Sequence, residues 1–145
     1  MHLLDVFSTT LGAKINQIDI LPAFYPIQFL RYATVSAFSK SSKNYSHWGR
    51  VLEMLAPVLK DLAIPVLQLG GKDEPLLPGC QALMGQTTLR QAAYVVKGSS
   101  LHLCADTFTG HLSCFFGVPT VVLISNNLRG NVIPYFRDEI GRAHV

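Results

Sequence analysis

The sequence predicts an α/β domain: a Rossmann-like parallel sheet with helices on both faces. Short continuous apolar runs such as Thr120–Ile124 (TVVLI) alternate with segments of helical periodicity, the pattern of parallel strands buried on both sides. The chain has 145 residues, of which 49% are apolar and 14% charged, enough for one domain with a proper core and too apolar for disorder. The low charge also fits a domain that turns some apolar surface toward a partner.

The elements follow in order. Met1–Leu11 carries Leu3, Leu4, Phe7 and Leu11 at helical spacing before Gly12, a short amphipathic helix. Ile15–Phe29 is apolar but broken by Pro22 and Pro26, which suits a linker or docking segment. Tyr32–Phe38 (YATVSAF) reads as a buried strand and Ser39–Ser46 as a polar loop. A helix starts near His47 with Ser46 as its N-cap; Trp48, Val51, Leu52, Leu55, Val58, Leu59 and Leu62 form its apolar stripe, and Pro57 is expected to kink or shorten it. Ile64–Leu69 is the second strand, ended by Gly70–Gly71, and Cys80–Met84 is a short third. Thr88–Leu89–Arg90–Gln91 has the capping-box pattern, so a helix should run to Lys97 and stop at Gly98. Leu101–Ala105 (LHLCA) is the fourth strand, Gly110–Phe116 a short helix ended by Gly117 and Pro119, and Thr120–Ile124 the fifth strand. Ligands of such sheets bind at the carboxyl ends of the strands.

Composition removes several function classes. The net charge of +3 is weak, and Lys40, Lys43 and Arg50 are the only tight basic group, which argues against nucleic acid. No apolar run reaches the roughly 20 residues of a bilayer span, and Met1–Leu11 lacks the flanks of a secretory signal. Cys80, Cys104 and Cys114 have no CxxC spacing; three unpaired cysteines fit buried, reduced thiols and a cytoplasmic setting. Four closely spaced zinc ligands are not seen.

The stretch richest in chemistry is Ala105–Pro119, ADTFTGHLSCFFGVP. A buried strand delivers Asp106 and Thr107 to the sheet edge, and a helix starts almost at once. A helix N-terminus offers unpaired N–H groups and partial positive charge to a diphosphate. Thr107 and Thr109 can add hydroxyl donors, Gly110 lies in the same turn, and His111 can donate to a phosphate oxygen. The plain alternative stays open: Asp106 or Thr107 simply caps the helix and His111 is an ordinary helix residue. Trp48 reads as a core anchor, Lys72, Asp73 and Glu74 as solvated loop residues, and Cys104 and Cys114 as buried fillers. His102 can face either side of its strand, and Arg129–Asn131 borders the same sheet edge.

This stretch resembles the signature of glycosyltransferase family 9, the ADP-heptose:lipopolysaccharide heptosyltransferases. Asp106, Thr107, His111, Leu112, Gly117 and Pro119 stand in register with that signature; Gly85–Ala92 (GQTTLRQA), Tyr32–Phe38 with Trp48, and Gly70–Glu74 (GGKDE) resemble its other segments. The resemblance spans roughly Tyr32 to Pro134. It implies the C-terminal half of a GT-B fold and an inverting, metal-independent transfer of heptose or a related sugar to a lipopolysaccharide-type or other glycan acceptor. The donor is a nucleotide sugar such as ADP-heptose, no further cofactor is implied, and the enzyme would sit at the inner membrane periphery. Ser41 and Ser42 then meet the phosphates, Glu74 holds the ribose hydroxyls, and Asp106, Thr107 and His111 hold the diphosphate and sugar. Phe108 replaces the family's Gly, where it is expected to crowd the phosphate, and Ser46 stands where Lys is common, with Lys43 a substitute from the same loop.

On this reading residues 1–31 are a linker and docking segment from a missing N-terminal domain that carries the general base. Residues 32–138 are the nucleotide-sugar-binding domain, and 139–145, which match an in-frame sequencing adapter, are a non-native tail. Rival readings are a sugar-nucleotide epimerase-like domain and a non-catalytic nucleotide- or glycan-binding module. A free flavodoxin-like domain is a third, disfavoured because no GxGxxG follows the first strand.

Overall fold

The computed structural model describes residues 9–12, 20–39 and 44–124. Five parallel strands form one sheet in the order β3-β2-β1-β4-β5: β1 (Ala33–Ser36), β2 (Val66–Gln68), β3 (Cys80–Ala82), β4 (Leu101–Ala105) and β5 (Thr120–Leu123). Three helices cross between them: α1 (Trp48–Asp61), α2 (Leu89–Lys97) and α3 (Phe108–Phe115). The Rossmann-like expectation is therefore what is observed, and among the described residues no helix is long and apolar enough to cross a membrane.

Two apolar layers hold the sheet. On one face Ala33, Val35 and Ala37 of the first strand region, with Val66, Leu103 and Ala105, pack against Trp48 and Leu52 of α1. On the other, Tyr32, Leu67 and Leu69 meet Ala92, Ala93, Val95 and Val96 of α2 and Leu112 of α3. Consecutive strand residues thus feed opposite layers, as the pleat requires. Gln68, fully buried, accepts from the Leu77 N–H at 2.7 Å and donates to the Pro75 carbonyl at 2.9 Å. It pins the loop that leads to β3.

The helix ends show which sequence signals were decisive. Thr88 caps α2 with both halves of the capping box: its hydroxyl accepts from the Gln91 N–H at 3.3 Å, and Gln91 Oε1 accepts from the Thr88 N–H at 2.9 Å. At the end of α3, the Val118 N–H bonds the Ser113 carbonyl and the Gly117 N–H bonds that of Cys114. Gly117 sits at φ +72°, so this is a Schellman stop that needs glycine's left-handed freedom.

Four expectations need correction. Helix α1 is capped by His47, without a side-chain bond, and not by Ser46. It runs on through Pro57 to Asp61. Pro57 and Glu53, whose carbonyl loses its partner, are both exposed, so water replaces the missing bond. Helix α3 begins at Phe108, two residues before the expected Gly110, because Thr107 already has the extended geometry of an N-cap. The first three strands are shorter than expected, at Ala33–Ser36, Val66–Gln68 and Cys80–Ala82.

Within the N-terminal segment, residues 20–31 carry no helix or strand and lie against α2. The Ala23 N–H donates to the Arg90 carbonyl at 2.9 Å, Arg90 Nε donates to the Leu21 carbonyl at 2.8 Å, and Phe24 meets Tyr94 edge-on at 5.4 Å. Thr9–Leu11 is helical before Gly12; the rest of that expected helix, Arg129–Asn131 and the expected tail lie outside the described residues.

Thr88→Ala should destabilise the domain by about 1 kcal/mol, the usual cost of an N-cap, because both reciprocal bonds go together. Urea unfolding checks this; an unchanged midpoint would show that the box contributes nothing to α2.

Candidate functional site

The strand order reverses between β1 and β4: from β1 the chain builds outward to β2 and β3, then returns to β4 and builds the other way. Loops leaving these neighbours diverge and leave a crevice at their carboxyl ends. There the Ser39 hydroxyl donates to the Asp106 carbonyl at 3.2 Å and ties the two loops together. Beside this contact is a cavity of about 310 Å³ lined by Ser36, Phe38, Gly70, Gly71 and two groups of helix-start residues. One group is Thr87, Thr88 and Leu89 of α2; the other is Thr107, Phe108 and Thr109 of α3.

Two helix N-termini therefore open on one space. Neither has an acidic residue in its first turn, so both turn the partial positive end of a helix dipole to this space, with Asp106 one residue before the α3 N-cap. The described lining holds hydroxyls, glycines and apolar groups and no charged side chain. The Ser36 hydroxyl is buried, with the residue 5% exposed, and has no hydrogen-bond partner among the described residues. Such a group costs about 1–3 kcal/mol, which a ligand oxygen would offset.

Under the lining lies a polar stripe. Thr34 pairs with His102 in register and Ser36 with Cys104, so all four share the sheet face that α3 covers. Thr34 Oγ1 is 2.8 Å from His102 Nδ1, His102 Nε2 is 3.1 Å from Thr109 Oγ1, and Thr109 Oγ1 is 3.0 Å from Thr107 Oγ1. His102 is fully buried, and desolvation pushes its pKa down to about 3; the ring is neutral at ordinary pH. Burial, reinforced by Cys114, pushes the Cys104 thiol up to about 12 despite a hydrogen bond from Thr107, and burial raises Cys80 to about 11. All three described cysteines are free, and these two stay protonated and poorly nucleophilic.

The structure sorts the expected site residues. Thr107 and Thr109 line the cavity. Asp106 and His111, half-buried at the same helix start, do not line it. Gly110 is buried beneath: a β-carbon there would come within 2.8 Å of Cys104 Sγ, so this glycine lets α3 sit close to β4. Glu74 lies at the same sheet edge, but its carboxylate turns inward against Gly70, with Oε1 accepting from the Gly71 N–H at 2.8 Å and Oε2 buried without a partner. Ser41, Ser42 and Lys43 lie outside the described residues. Phe108, in ordinary helical geometry, brings no backbone strain; the residue, 44% exposed, forms part of the cavity wall. Trp48 is 2% exposed in the α1 layer, a core anchor as expected. Lys72 and Asp73 are exposed.

Sequence reasoning did not single out Thr34, Ser36 or His102 as site residues. Alternation within YATVSAF and LHLCA places them on one face only once the strand pairing is known. Among the described residues no three His, Cys, Asp or Glu side chains converge to hold a metal.

Gly110→Ala should destabilise the domain by roughly 1–3 kcal/mol through overpacking, and Cys104→Ala in the same chain should recover much of it. A double-mutant cycle measures this; strict additivity would show that the two do not touch. For His102 the folded-state pKa lies below the unfolded value of 6.5. Between these values the unfolded chain binds a proton that the native ring refuses, so stability falls as pH drops through that window, by up to ~1.4 kcal/mol per pH unit. The slope attributable to His102 should vanish in His102→Gln, compared by urea unfolding at pH 7 and 4.

No protein-family profile matches the chain, and no curated protein matches it in sequence. Solved structures do match. TibC of enterotoxigenic E. coli, an iron-containing dodecameric glycosyltransferase, superposes with a TM-score of 0.58 at 16% identity over 73% of this chain and 30% of its own. The E. coli heptosyltransferase WaaC, solved with ADP, gives 0.58 at 17% identity over 88% and 44%. A family 9 glycosyl transferase of Veillonella parvula gives 0.58 at 16% over 92% and 37%. The chain thus has a Rossmann-like fold that matches part of these heptosyltransferase and family 9 structures, and spans less than half their length.

Proposed function

We propose that this chain binds the diphosphate of a nucleotide sugar at the carboxyl edge of its sheet, as the donor-binding unit of a glycosyltransferase. One observation carries the reading: two helix N-termini with no acidic residue in their first turns, those of α2 and α3, meet at a hydroxyl-lined cavity at the strand-order reversal. Aligned N–H groups with short hydroxyl donors suit an anion held without a cation. The fold neighbours support the ligand class, since WaaC was solved with ADP and TibC with ADP-D-β-D-heptose.

In this proposal the N–H groups and Thr107 and Thr109 receive the diphosphate, with Asp106 and His111 beside them for the sugar. Charge that builds on the leaving diphosphate is met by donors already in place. Ser41, Ser42 and Lys43, which follow β1 in the sequence, are assigned further phosphate contacts in this proposal. Glu74 serves the ribose once its carboxylate swings away from Gly70. The transfer inverts the sugar without a metal, passes heptose or a related sugar to a glycan acceptor, and draws its general base from a facing domain. Its setting is cytoplasmic, at the membrane periphery. No observation favours the epimerase-like or non-catalytic alternatives over this reading.

Isothermal titration with ADP, UDP and inorganic pyrophosphate tests the binding step. ADP and pyrophosphate should compete for one site, and Thr107→Val should weaken both by roughly tenfold, the worth of one hydrogen bond to a charged group. Binding that ignores Thr107→Val, or none to any of the three, removes the reading.

A further inference from the structure

Thr107 and Thr109 sit at the cavity, but the chain of contacts behind them runs inward, through His102 to Thr34 in the middle of the sheet. Each hydroxyl has a single proton and the neutral ring has one, so the tautomer of the ring sets which way the chain runs at Thr34 and at Thr109. In the outward sense Thr34 donates to Nδ1, Nε2–H donates to Thr109, and Thr109 donates to Thr107. The Thr107 proton is then left over for a ligand, or for the Cys104 sulfur that Thr107 already contacts. In the inward sense Nδ1–H donates to Thr34, whose proton reaches toward the Leu101 carbonyl at 3.5 Å; Thr109 donates to Nε2, and Thr107 donates to Thr109. The cavity then meets bare oxygen lone pairs.

An anion discriminates sharply between these states, because one presents a donor and the other an acceptor. We propose that His102 is a positioning residue: as the Nε2–H tautomer it donates to Thr109 and so leaves one hydroxyl proton of the Thr109–Thr107 pair for a bound diphosphate. This rests on the donor-site reading above. The cavity supplies an independent sign of a ligand, since the buried, unpartnered Ser36 hydroxyl lines the same space. Burial keeps the ring neutral, so the device works by tautomer and not by charge. The inward-sense alternative is also the weaker chain, as it leans on the long Thr34 contact to Leu101. Thr34 does not line the cavity, yet it decides which ring nitrogen keeps the proton.

The test is ¹⁵N NMR of the histidine-labelled full chain with and without ADP, alongside titration of the variants. The ADP-bound protein should show His102 as the Nε2–H tautomer. Thr109→Val should lower ADP affinity roughly tenfold, and Thr109→Ser should restore it. Thr34→Val, which keeps the volume, should weaken ADP binding and shift the His102 tautomer while the fold, checked by near-ultraviolet circular dichroism, is kept. ADP bound with His102 as Nδ1–H, or affinity indifferent to both Thr109→Val and Thr34→Val, overturns the positioning role and leaves the donor site standing. If wild-type protein binds no ADP, UDP or pyrophosphate, the donor site itself falls and this role with it.

Discussion

The reversal of strand order between β1 and β4 is the constraint from which the site follows. Parallel strands need crossovers, and crossovers of one hand place α1 on one face and α2 and α3 on the other. At the reversal no crossover covers the strand ends, so the loops part. Whatever the residues there, a crevice results. The residues then decide its chemistry: α2 and α3 both start at its rim, each with a threonine at the N-cap.

The two faces of the sheet are built to different rules. The α1 face is apolar along β1 and β4, with Ala33, Val35, Leu103 and Ala105 under Trp48 and Leu52. The opposite face carries Thr34, Ser36, His102 and Cys104 in register. Polar groups in a core are tolerated where they are paired. Here the pairing is arranged outward, toward the cavity, and it fails only at Ser36, which lines that cavity. The apolar side can supply cohesion while the polar side holds donors in position. Gly110 makes the second role possible, since α3 must approach β4 closely for Thr109 to reach the His102 ring.

Much of this was legible in the sequence, for local reasons. The Thr88–Gln91 box and the Gly117 stop are contacts between residues a few positions apart, so their spacing announces them. The apolar strands LHLCA and TVVLI needed only their composition, although the second, at the sheet edge, is only half-buried beyond Thr120. Less was legible where the decision is long-range. Phe108 reads as a departure from a glycine, and only the fold shows it as the first residue of a helix and part of the cavity wall. His102 alternates on a strand, and its direction is settled by pairing with Thr34, 68 positions away. Glu74 looked like a carboxylate presented to solvent, but a three-residue loop closes it onto the Gly71 N–H. Pro57, expected to kink or shorten α1, lies inside a helix that runs on to Asp61, where its exposure lets water make up the missing bond.

A site that meets a diphosphate with neutral donors has a particular physical character. In water a hydroxyl is no match for a phosphate's hydration. In a recess at the edge of a packed sheet, dipoles fixed in place lose no energy in turning toward new charge. What matters then is that the donors cannot rotate away, and a freely spinning threonine hydroxyl would offer a lone pair as readily as a proton. Anchoring the chain in the sheet interior removes that freedom. Thr34 is held by β1, His102 by β4 and Thr109 by α3, three elements whose relative placement is set by the core. On the proposed reading, the sense of a proton chain at the surface is governed by the rigidity of the interior, and residues that never touch the ligand take part in its recognition.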